Sequence, residues 1–223
     1  MEEREDSRPE KRNAGRVIGQ SPHIHQEEKT LVLATGNPAK VRELNQLLEG
    51  RGWKVRALSE FTDDIDVEEN GSTLAENAEI KARHAFEATG LPSLADDTGL
   101  EVDALSGRPG VHSARYAGPQ GGAEQNRRKL LEELGGISDP ARRTARFRTT
   151  LVYIEAQNRI RRFEGICEGR ILTDERGDGG FGYDPLFVPE GHSETFAEMD
   201  SALKNSISHR GRALQKFLEE MAR

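Results

Sequence analysis

Short apolar runs and amphipathic segments alternate along the chain. Residues 31–34 form an apolar run that predicts a buried strand, and residues 53–58 predict a second strand. Between them the pattern predicts a helix from Pro38 to about Glu49, with Asn37 as its N-cap and glycines beyond its end. The first part of the folded chain is therefore expected to be a strand, a helix and a strand.

Longer elements follow this first unit. Apolar residues at helical spacing predict a helix over residues 74–88, and a short strand at 91–95 is predicted to end at Asp96-Asp97. Residues 100–122 are predicted to be mostly loop. The remaining pattern predicts two helices, one at residues 123–134 and one at residues 205–222. Between them it predicts a hairpin of two strands, at residues 145–153 and 159–171. Because strands and helices are intermixed, the fold class is predicted to be α/β or mixed α+β.

The first 28 residues differ in composition from the rest of the chain. They contain seven acidic residues, five Lys or Arg and no aromatic residue. Such a segment buries too little apolar surface to offset the entropy of ordering, so residues 1–28 are predicted to be a disordered tail. His23 and His25 in this tail are interpreted as solvated side chains. Residues 29–223 are expected to form one domain, which suits a total length of 223 residues.

Charge and composition disfavour nucleic acid and membranes as binding partners. The formal net charge is −7 and the chain has no block of five or six like charges, which disfavours nucleic acid as the main partner. No apolar run approaches the roughly 18 residues that a membrane span needs. A single cysteine, Cys167, cannot form an internal disulfide, so a reducing, cytoplasmic location is expected. A small phosphorylated ligand remains compatible with this composition.

Four clusters of residues are candidates for chemistry, and each also has a purely structural interpretation. The first, Thr35-Gly36-Asn37-Pro38-Ala39-Lys40, joins the first strand to the first helix. Free N–H groups at a helix N-terminus favour phosphate, glycine permits close approach, and Lys40 adds a positive charge. The stretch lacks the P-loop spacing, and by itself it is more typical of a capped helix with an exposed lysine.

The second and third clusters carry carboxylates. Thr73-Leu74-Ala75-Glu76-Asn77 has the pattern of a capping box, and alternatively it presents Glu76 as a metal ligand. Asp96-Asp97-Thr98-Gly99 is either a turn or a pair of carboxylates at the ligand-binding edge of a sheet. Since Mg²⁺ prefers one or two carboxylates plus substrate phosphates, the third cluster suits a magnesium site.

The fourth cluster has two parts. Residues 177–185 match Gly-x-Gly-x-x-Gly, but Asp184-Pro185 favours extended backbone where a dinucleotide-binding turn would need a helix. A flat base resting on Phe181 suits this glycine loop better. Lys204 and His209-Arg210 follow near the last predicted helix, where their donors would recognise base oxygens or phosphates, or would simply face solvent.

Taken together and in this order, the clusters resemble the inosine triphosphate pyrophosphatase family. The resemblance extends from Thr30 to about Phe217, and its stretches are LATGNPAKVREL, STLAENAEIKARHA, LADDTGLEVDALSGRPGVHSARYAG, GGFGYDPLFVP and KNSISHRGRAL. Leu74 and Thr98 depart from the usual residues while keeping their character. His112 stands where the family often has tyrosine, which leaves open what that aromatic ring packs against.

The resemblance implies a curved mixed sheet flanked by helices, two lobes with a nucleotide-binding cleft between them, and a homodimer. It implies Mg²⁺-dependent hydrolysis of deaminated purine nucleoside triphosphates, such as ITP, dITP and XTP, to the monophosphate and pyrophosphate. Glu76 and Asp97 resemble the family's metal ligands, and Asp97 its proton acceptor. The positions that resemble its substrate-binding residues are Thr35, Gly36, Asn37, Pro38, Ala39, Lys40, Thr98, Phe181, Gly182, Tyr183, Asp184, Lys204, His209 and Arg210.

Two alternatives remain compatible with the sequence. One is a pyrophosphatase for other modified nucleotides, such as modified pyrimidines. The other is a nucleotide-binding sensor that keeps the cleft without turnover. The presence of both Glu76 and Asp97 argues against the sensor, because binding alone does not require a paired metal site.

Overall fold

A computed structural model describes residues 29–36 and 38–221. The tail predicted for residues 1–28, including His23 and His25, lies outside the described residues, as does the N-cap predicted at Asn37. No helix in the described ranges is both long enough and apolar enough to cross a membrane.

The described residues form a seven-stranded sheet with α-helices on both faces. The strands are β1 (Lys29–Leu33), β2 (Trp53–Ala57), β3 (Ser93–Val102), β4 (Pro109–Gly110), β5 (Thr144–Ala156), β6 (Arg159–Ile171) and β7 (Phe187–Pro189). The α-helices are α1 (Pro38–Leu48), α2 (Leu74–Thr89), α3 (Ala123–Glu133), α4 (Ser201–Ile207) and α5 (His209–Met221).

The sheet is mixed, with strand order β2-β1-β3-β5-β6-β7 and β4 beside β3. Strand β1 is parallel to β2 and β3, whereas the other pairs are antiparallel. Strand β3 joins the two parts, since it pairs with β1 at its start and with β5 over its whole length, from Ser93 to Val102. The predicted mixture of strands and helices is confirmed.

The predicted end of the third strand at residue 95 is wrong. Strand β3 continues to Val102, and Asp96 and Asp97 pair in its middle with Leu151 and Thr150 of β5. The turn propensity of Asp-Asp-Thr-Gly is overridden because this stretch pairs along its whole length with residues 148–151 of β5. The two carboxylates therefore lie on a rigid strand instead of a turn.

The single helix predicted over residues 205–222 is also wrong, because it is two helices that meet at Ser208. Ser208 has extended backbone angles, φ −68° and ψ 158°, which end α4. Its Oγ accepts a hydrogen bond from the N–H of Gly211 at 3.0 Å, which is the contact of an N-cap serine. The break ends α4 and begins α5, with His209 and Arg210 in the first turn of α5.

The buried hydrophobic residues form three clusters. Two of them lie on opposite faces of the sheet, because successive side chains of the central strands point to opposite faces. Leu31 and Leu33 pack with α1 and α5, whereas Val32 packs with the alanines of α2. On β3, Leu94 belongs to the first face and Ala95 to the second. Since successive side chains point to opposite faces, Asp96 follows Leu94 and Asp97 follows Ala95. The third cluster surrounds the ends of β3, β5 and β6 beside β7.

Helix α5 approaches β6 closely at Gly165. A β-carbon at this position would collide with the carbonyl of His209 and would lie 2.7 Å from the backbone nitrogen of Ala213. Glycine is therefore required for the first turn of α5 to rest on the sheet. This contact fixes the position from which His209 and Arg210 enter the cleft.

Candidate functional site

A cleft of about 420 Å³ opens beside the middle of β3. It continues into a smaller hollow of about 280 Å³, and the two share Lys40, Glu69, Lys81 and Ala114 in their walls. Two larger hollows lie elsewhere on the surface, one near Arg170 and one between β6 and α5. The cleft is the better candidate because it joins buried charges to aromatic rings.

The cleft brings together predicted residues that are far apart in the sequence. Those that line it are Lys40, Asp97, Thr98, Phe181, Gly182, Tyr183, Asp184, Lys204, His209 and Arg210. Thr35 and Gly36 line the adjoining hollow, and Pro38 and Ala39 lie in the first turn of α1 beside it. Asn37 is outside the described residues. Among the described residues that line the two hollows, Glu76 does not occur.

Asp96 lies beneath the cleft, with a side chain that is 0% exposed. Its Oδ2 is 3.0 Å from Lys40 Nζ and accepts hydrogen bonds from Arg210 Nη2 at 3.1 Å and Thr98 Oγ1 at 3.2 Å. Burial opposes ionisation and is the largest single influence. The charges of Lys40, Arg210 and Lys81 together outweigh it and hold the pKa of Asp96 well below its usual range. Asp96 therefore anchors one cation from α1 and one from α5.

Asp97 points to the other face, where Lys81 of α2 meets it. Lys81 Nζ donates to Asp97 Oδ1 at 2.8 Å and to Glu69 Oε2 at 3.2 Å. Burial raises the pKa of Asp97 above its usual value, and the charge of Lys81 offsets only part of that effect. Burial alone would lower the pKa of Lys81, but Asp97, Asp96 and Glu69 together raise it. Two carboxylates thus share one ammonium group.

The loop that carries Glu69 is held by two hydrogen bonds, one at Glu69 and one two residues later. Arg115 Nη2 donates to the backbone carbonyl of Glu69 at 3.3 Å, and the N–H of Gly71 donates to Asn77 Oδ1 at 2.8 Å. Asn77 is fully buried in α2, so its amide is a fixed anchor. These contacts place the carboxylate of Glu69 across from Asp97.

Glu76 lies in the capping box of α2. Its Oε2 accepts from the N–H and Oγ of Ser72, at 2.7 and 2.8 Å, and from the N–H of Thr73. The hydroxyl of Ser72 makes the largest contribution in lowering the pKa of Glu76. The structural interpretation of this cluster is therefore confirmed. The metal-ligand role of Glu76 stays a prediction, whereas Glu69 shares the ammonium group of Lys81 with Asp97.

The glycine loop and α4 form the opposite end of the cleft. Asp184 Oδ2 accepts from the N–H of Phe181 at 2.6 Å and from Lys204 Nζ at 2.8 Å. Lys204 Nζ lies 4.8 Å from the centre of the Phe181 ring, and the guanidinium of Arg210 lies 5.4 Å from it. Gly180 has φ +72° and packs so tightly on Asp184 that a β-carbon would collide with the carboxylate. The ring is thus held in a fixed place with cations around it.

His209 and Tyr183 complete this end. The imidazole of His209 stacks on Phe147, with centroids 4.7 Å apart, and its Nδ1 is buried with no hydrogen-bond partner among the described residues. Burial, followed by the charges of Arg210 and Lys204, lowers the pKa of His209 well below 6.5, so the ring is neutral at pH 7. The hydroxyl of Tyr183 donates to the carbonyl of Ser113 at 2.8 Å. Tyr183 therefore lines the cleft with its hydroxyl already hydrogen-bonded.

Sequence reasoning missed two residues that organise the site, Lys81 and Glu69, and it gave Asp96 no role apart from its pairing with Asp97. Lys81 follows Ala78 by three positions and precedes Ala85 by four, which puts a lysine on the buried face of α2. That unusual placement was a usable signal. Glu69 was hidden among the several acidic residues of the loop at 62–70. Asp96 and Asp97 are adjacent in sequence, but the alternation of β3 gives them different environments.

A family model described as the Ham1 family matches residues 31–220. The chain belongs to the Ham1 family. A protein of Desulforamulus reducens named dITP/XTP pyrophosphatase is 52% identical over 193 residues, which are 86% of this chain and 96% of that protein. A protein of the same name from Thioalkalivibrio sulfidiphilus is 51% identical over 194 residues, which are 86% of this chain and 97% of that protein.

Solved structures of Ham1 proteins match the fold. A HAM1 protein from Coxiella burnetii is 42% identical and has a TM-score of 0.79, with 87% of this chain and 98% of that chain covered. A nucleoside-triphosphatase / dITP/XTP pyrophosphatase from Mycobacterium abscessus is 40% identical with a TM-score of 0.69, covering 85% and 98%. The predicted family resemblance and the mixed sheet flanked by helices are confirmed for this Ham1 family chain.

Proposed function

We propose that the chain hydrolyses deaminated purine nucleoside triphosphates, namely ITP, dITP and XTP, to the monophosphate and pyrophosphate in the presence of Mg²⁺. The observation that carries the proposal is the division of one cleft into two ends. One end has Asp97, Glu69 and two lysines, and the other has Phe181 with donors around it. The names of the relatives at about 50% identity support the same activity.

The carboxylates of Asp97 and Glu69 fit a magnesium ion. A positive charge already lies between them, because Lys81 Nζ contacts both oxygens. In the described ranges no three His, Cys, Asp or Glu side chains are grouped to hold a metal. That suits Mg²⁺, which takes its remaining ligands from substrate phosphates and water. We therefore assign Asp97 and Glu69 as the protein ligands in preference to Glu76. When bound, the ion would neutralise charge on the phosphates.

Asp97 is the proposed proton acceptor. A water molecule attacks the α-phosphorus, its proton passes to the carboxylate of Asp97, and the bond to the leaving pyrophosphate breaks. Burial raises the pKa of Asp97, which makes it a better base than an exposed aspartate. Lys40 and the N-terminus of α1 lie at the phosphate end, where they would stabilise the charge that develops on the phosphate oxygens.

The opposite end is proposed to recognise the base. Phe181 offers a flat surface, and Lys204 and Arg210 place donors beside it. A 6-oxo purine presents an acceptor to these donors, whereas adenine presents an amino group. Sites built to hydrogen-bond one substrate group reject analogues without it by roughly 10⁴-fold, so ATP should be a very poor substrate. Guanine also has a 6-oxo group, so these donors alone do not reject GTP.

Pyrophosphate release from dITP, XTP, ITP, GTP and ATP tests the proposal. We expect high kcat/KM for the first three and monophosphate plus pyrophosphate as products. In oxygen-18 water the label should enter the monophosphate. Stepwise release of orthophosphate would exclude this chemistry, and comparable kcat/KM for ATP and dITP would exclude the substrate class. Binding without turnover would favour the sensor.

We also propose a homodimer in the cytoplasm, which the family resemblance and the single cysteine support. Light scattering behind size-exclusion chromatography should give about twice the 24.8 kDa of one chain. A mass of one chain at micromolar concentration would contradict the dimer.

A further inference from the structure

Lys81 occupies the position between two carboxylates that a metal ion would take. Its side chain is 13% exposed, as is that of Asp97, and Glu69 is 35% exposed. The ammonium reaches both oxygens directly, at 2.8 Å and 3.2 Å. Lys40, which lines the same end of the cleft, instead contacts Asp96, whose side chain is sealed from solvent. The positive charge of Lys81 is therefore placed on the proposed metal ligands.

We propose that Lys81 is a cation place-holder, an inference that rests on the proposed function. Without nucleotide, its ammonium neutralises Asp97 and Glu69 and keeps divalent ions weakly bound. When a triphosphate enters, its negative charge draws the ammonium away from the carboxylates, which then accept the metal. Lys81 thus makes metal and nucleotide bind cooperatively.

Distances support a direct conflict between the two cations. Mg²⁺ binds oxygen at about 2.0–2.1 Å. Lys81 Nζ is 2.8 Å from Asp97 Oδ1, so an ion on that oxygen would lie within about 5 Å of the ammonium. Like charges at this separation in a partly buried site repel strongly. A triphosphate carries enough negative charge to attract both cations and remove this conflict.

Binding of Mn²⁺ to the nucleotide-free full chain, followed by calorimetry, tests the inference without turnover. Lys81→Met and Lys81→Gln should bind Mn²⁺ about tenfold tighter than wild type or more, because the carboxylates lose their neutralising charge. Lys81→Arg keeps the charge and should bind as weakly as wild type. Lys54→Met, which removes an exposed lysine of β2, should also match wild type. Adding Glu69→Gln to Lys81→Met should weaken binding again.

The same titration with an α,β-methylene analogue of dITP measures cooperativity. The analogue should tighten Mn²⁺ binding to wild type by at least about tenfold and should have a much smaller effect on Lys81→Met. Thermal melting checks that the variants are folded. If both neutral variants bind Mn²⁺ no tighter than wild type, or if the analogue does not change Mn²⁺ affinity in wild type, the place-holder role is wrong. Pyrophosphate release by wild type is measured separately, so failure of the proposed function is distinguishable.

Discussion

Asp96 and Asp97 are neighbours on one strand, yet they lie in opposite electrostatic environments. Asp96 faces α1 and α5, where Lys40 and Arg210 hold its pKa well below the usual range. Asp97 faces α2, where burial raises its pKa and the single charge of Lys81 only partly offsets this. Both side chains are largely removed from solvent, so exposure does not distinguish them. They differ in the number of cations that contact them, which is two for Asp96 and one for Asp97.

The difference separates a structural carboxylate from a reactive one. Asp96 is ionised under all ordinary conditions and ties two cations from distant elements to the floor of the cleft. The pKa of Asp97 is raised toward neutral pH, and its side chain lines the cleft. A buried charge with several partners stabilises an arrangement, whereas a buried charge with one partner remains available for chemistry.

Asp97→Asn should break the reactive half of this comparison. Loss of the proton acceptor should lower kcat by about 10³-fold or more, because general bases contribute on the order of 10²–10⁴. The melting temperature should change little, since asparagine is nearly isosteric. Activity above about a tenth of wild type would show that Asp97 is not the base.

Asp96→Asn should break the structural half. Lys40 and Arg210 would then lie buried without their counterion, and removal of one partner from such a site costs about 3 kcal/mol or more. The melting temperature should fall by roughly 6–12 °C. Asp103→Asn is the matched control, because Asp103 pairs with Arg146 but its side chain is 45% exposed. Equal shifts for the two variants would contradict the role of Asp96.

Glu69→Gln and Glu76→Gln sharpen the assignment around Asp97. Glu69→Gln should raise the Mg²⁺ concentration needed for half-maximal rate by about tenfold, in line with loss of one ligand of the metal. Glu76→Gln should leave that concentration unchanged and lower the melting temperature, because its carboxylate caps α2. The reverse result in the Mg²⁺ titration would restore Glu76 as the ligand.

The smallest expected effect is that of His209 on the pH dependence of folding stability. Its folded pKa is well below 6.5, and Arg210, Lys204, Lys40 and Asp96 are the charged groups that face it. Below pH 6.5 the unfolded chain therefore binds more protons than the folded chain, and this contribution to stability is lost as pH falls. Wild type should lose about 1 kcal/mol between pH 6.5 and about 5.5 that His209→Gln does not lose. Urea unfolding at the two pH values measures this loss. The control His112→Gln, which changes an exposed histidine, should lose as much stability as wild type.

Periodicity predicted most of the fold, because β1, α2, α3 and β6 carry clear strand or helix patterns. The hydrophobic pattern gave the wrong prediction where pairing with a distant strand decides the structure. Asp96-Asp97-Thr98-Gly99 has turn propensity, and only β5, more than 45 residues later, shows that it is a strand. Most site residues on the predicted motifs line the cleft or the adjoining hollow, but Glu76 lines neither. Sequence alone does not distinguish Glu69 from the other acidic residues of its loop. Its position depends on Asn77 and Arg115, which are contacts that no local pattern contains.

Strand β3 also limits how the gene can change. One residue inserted between Ser93 and Ala95 would reverse the faces of everything that follows, so the two aspartates would exchange environments. Two inserted residues would restore the faces but move both carboxylates about 7 Å along the strand, away from Lys40 and Lys81. Length variation is therefore tolerable in the flanking loops and not within these ten residues. The spacing from Ser93 to Asp97 is as much a requirement of the site as the aspartates themselves.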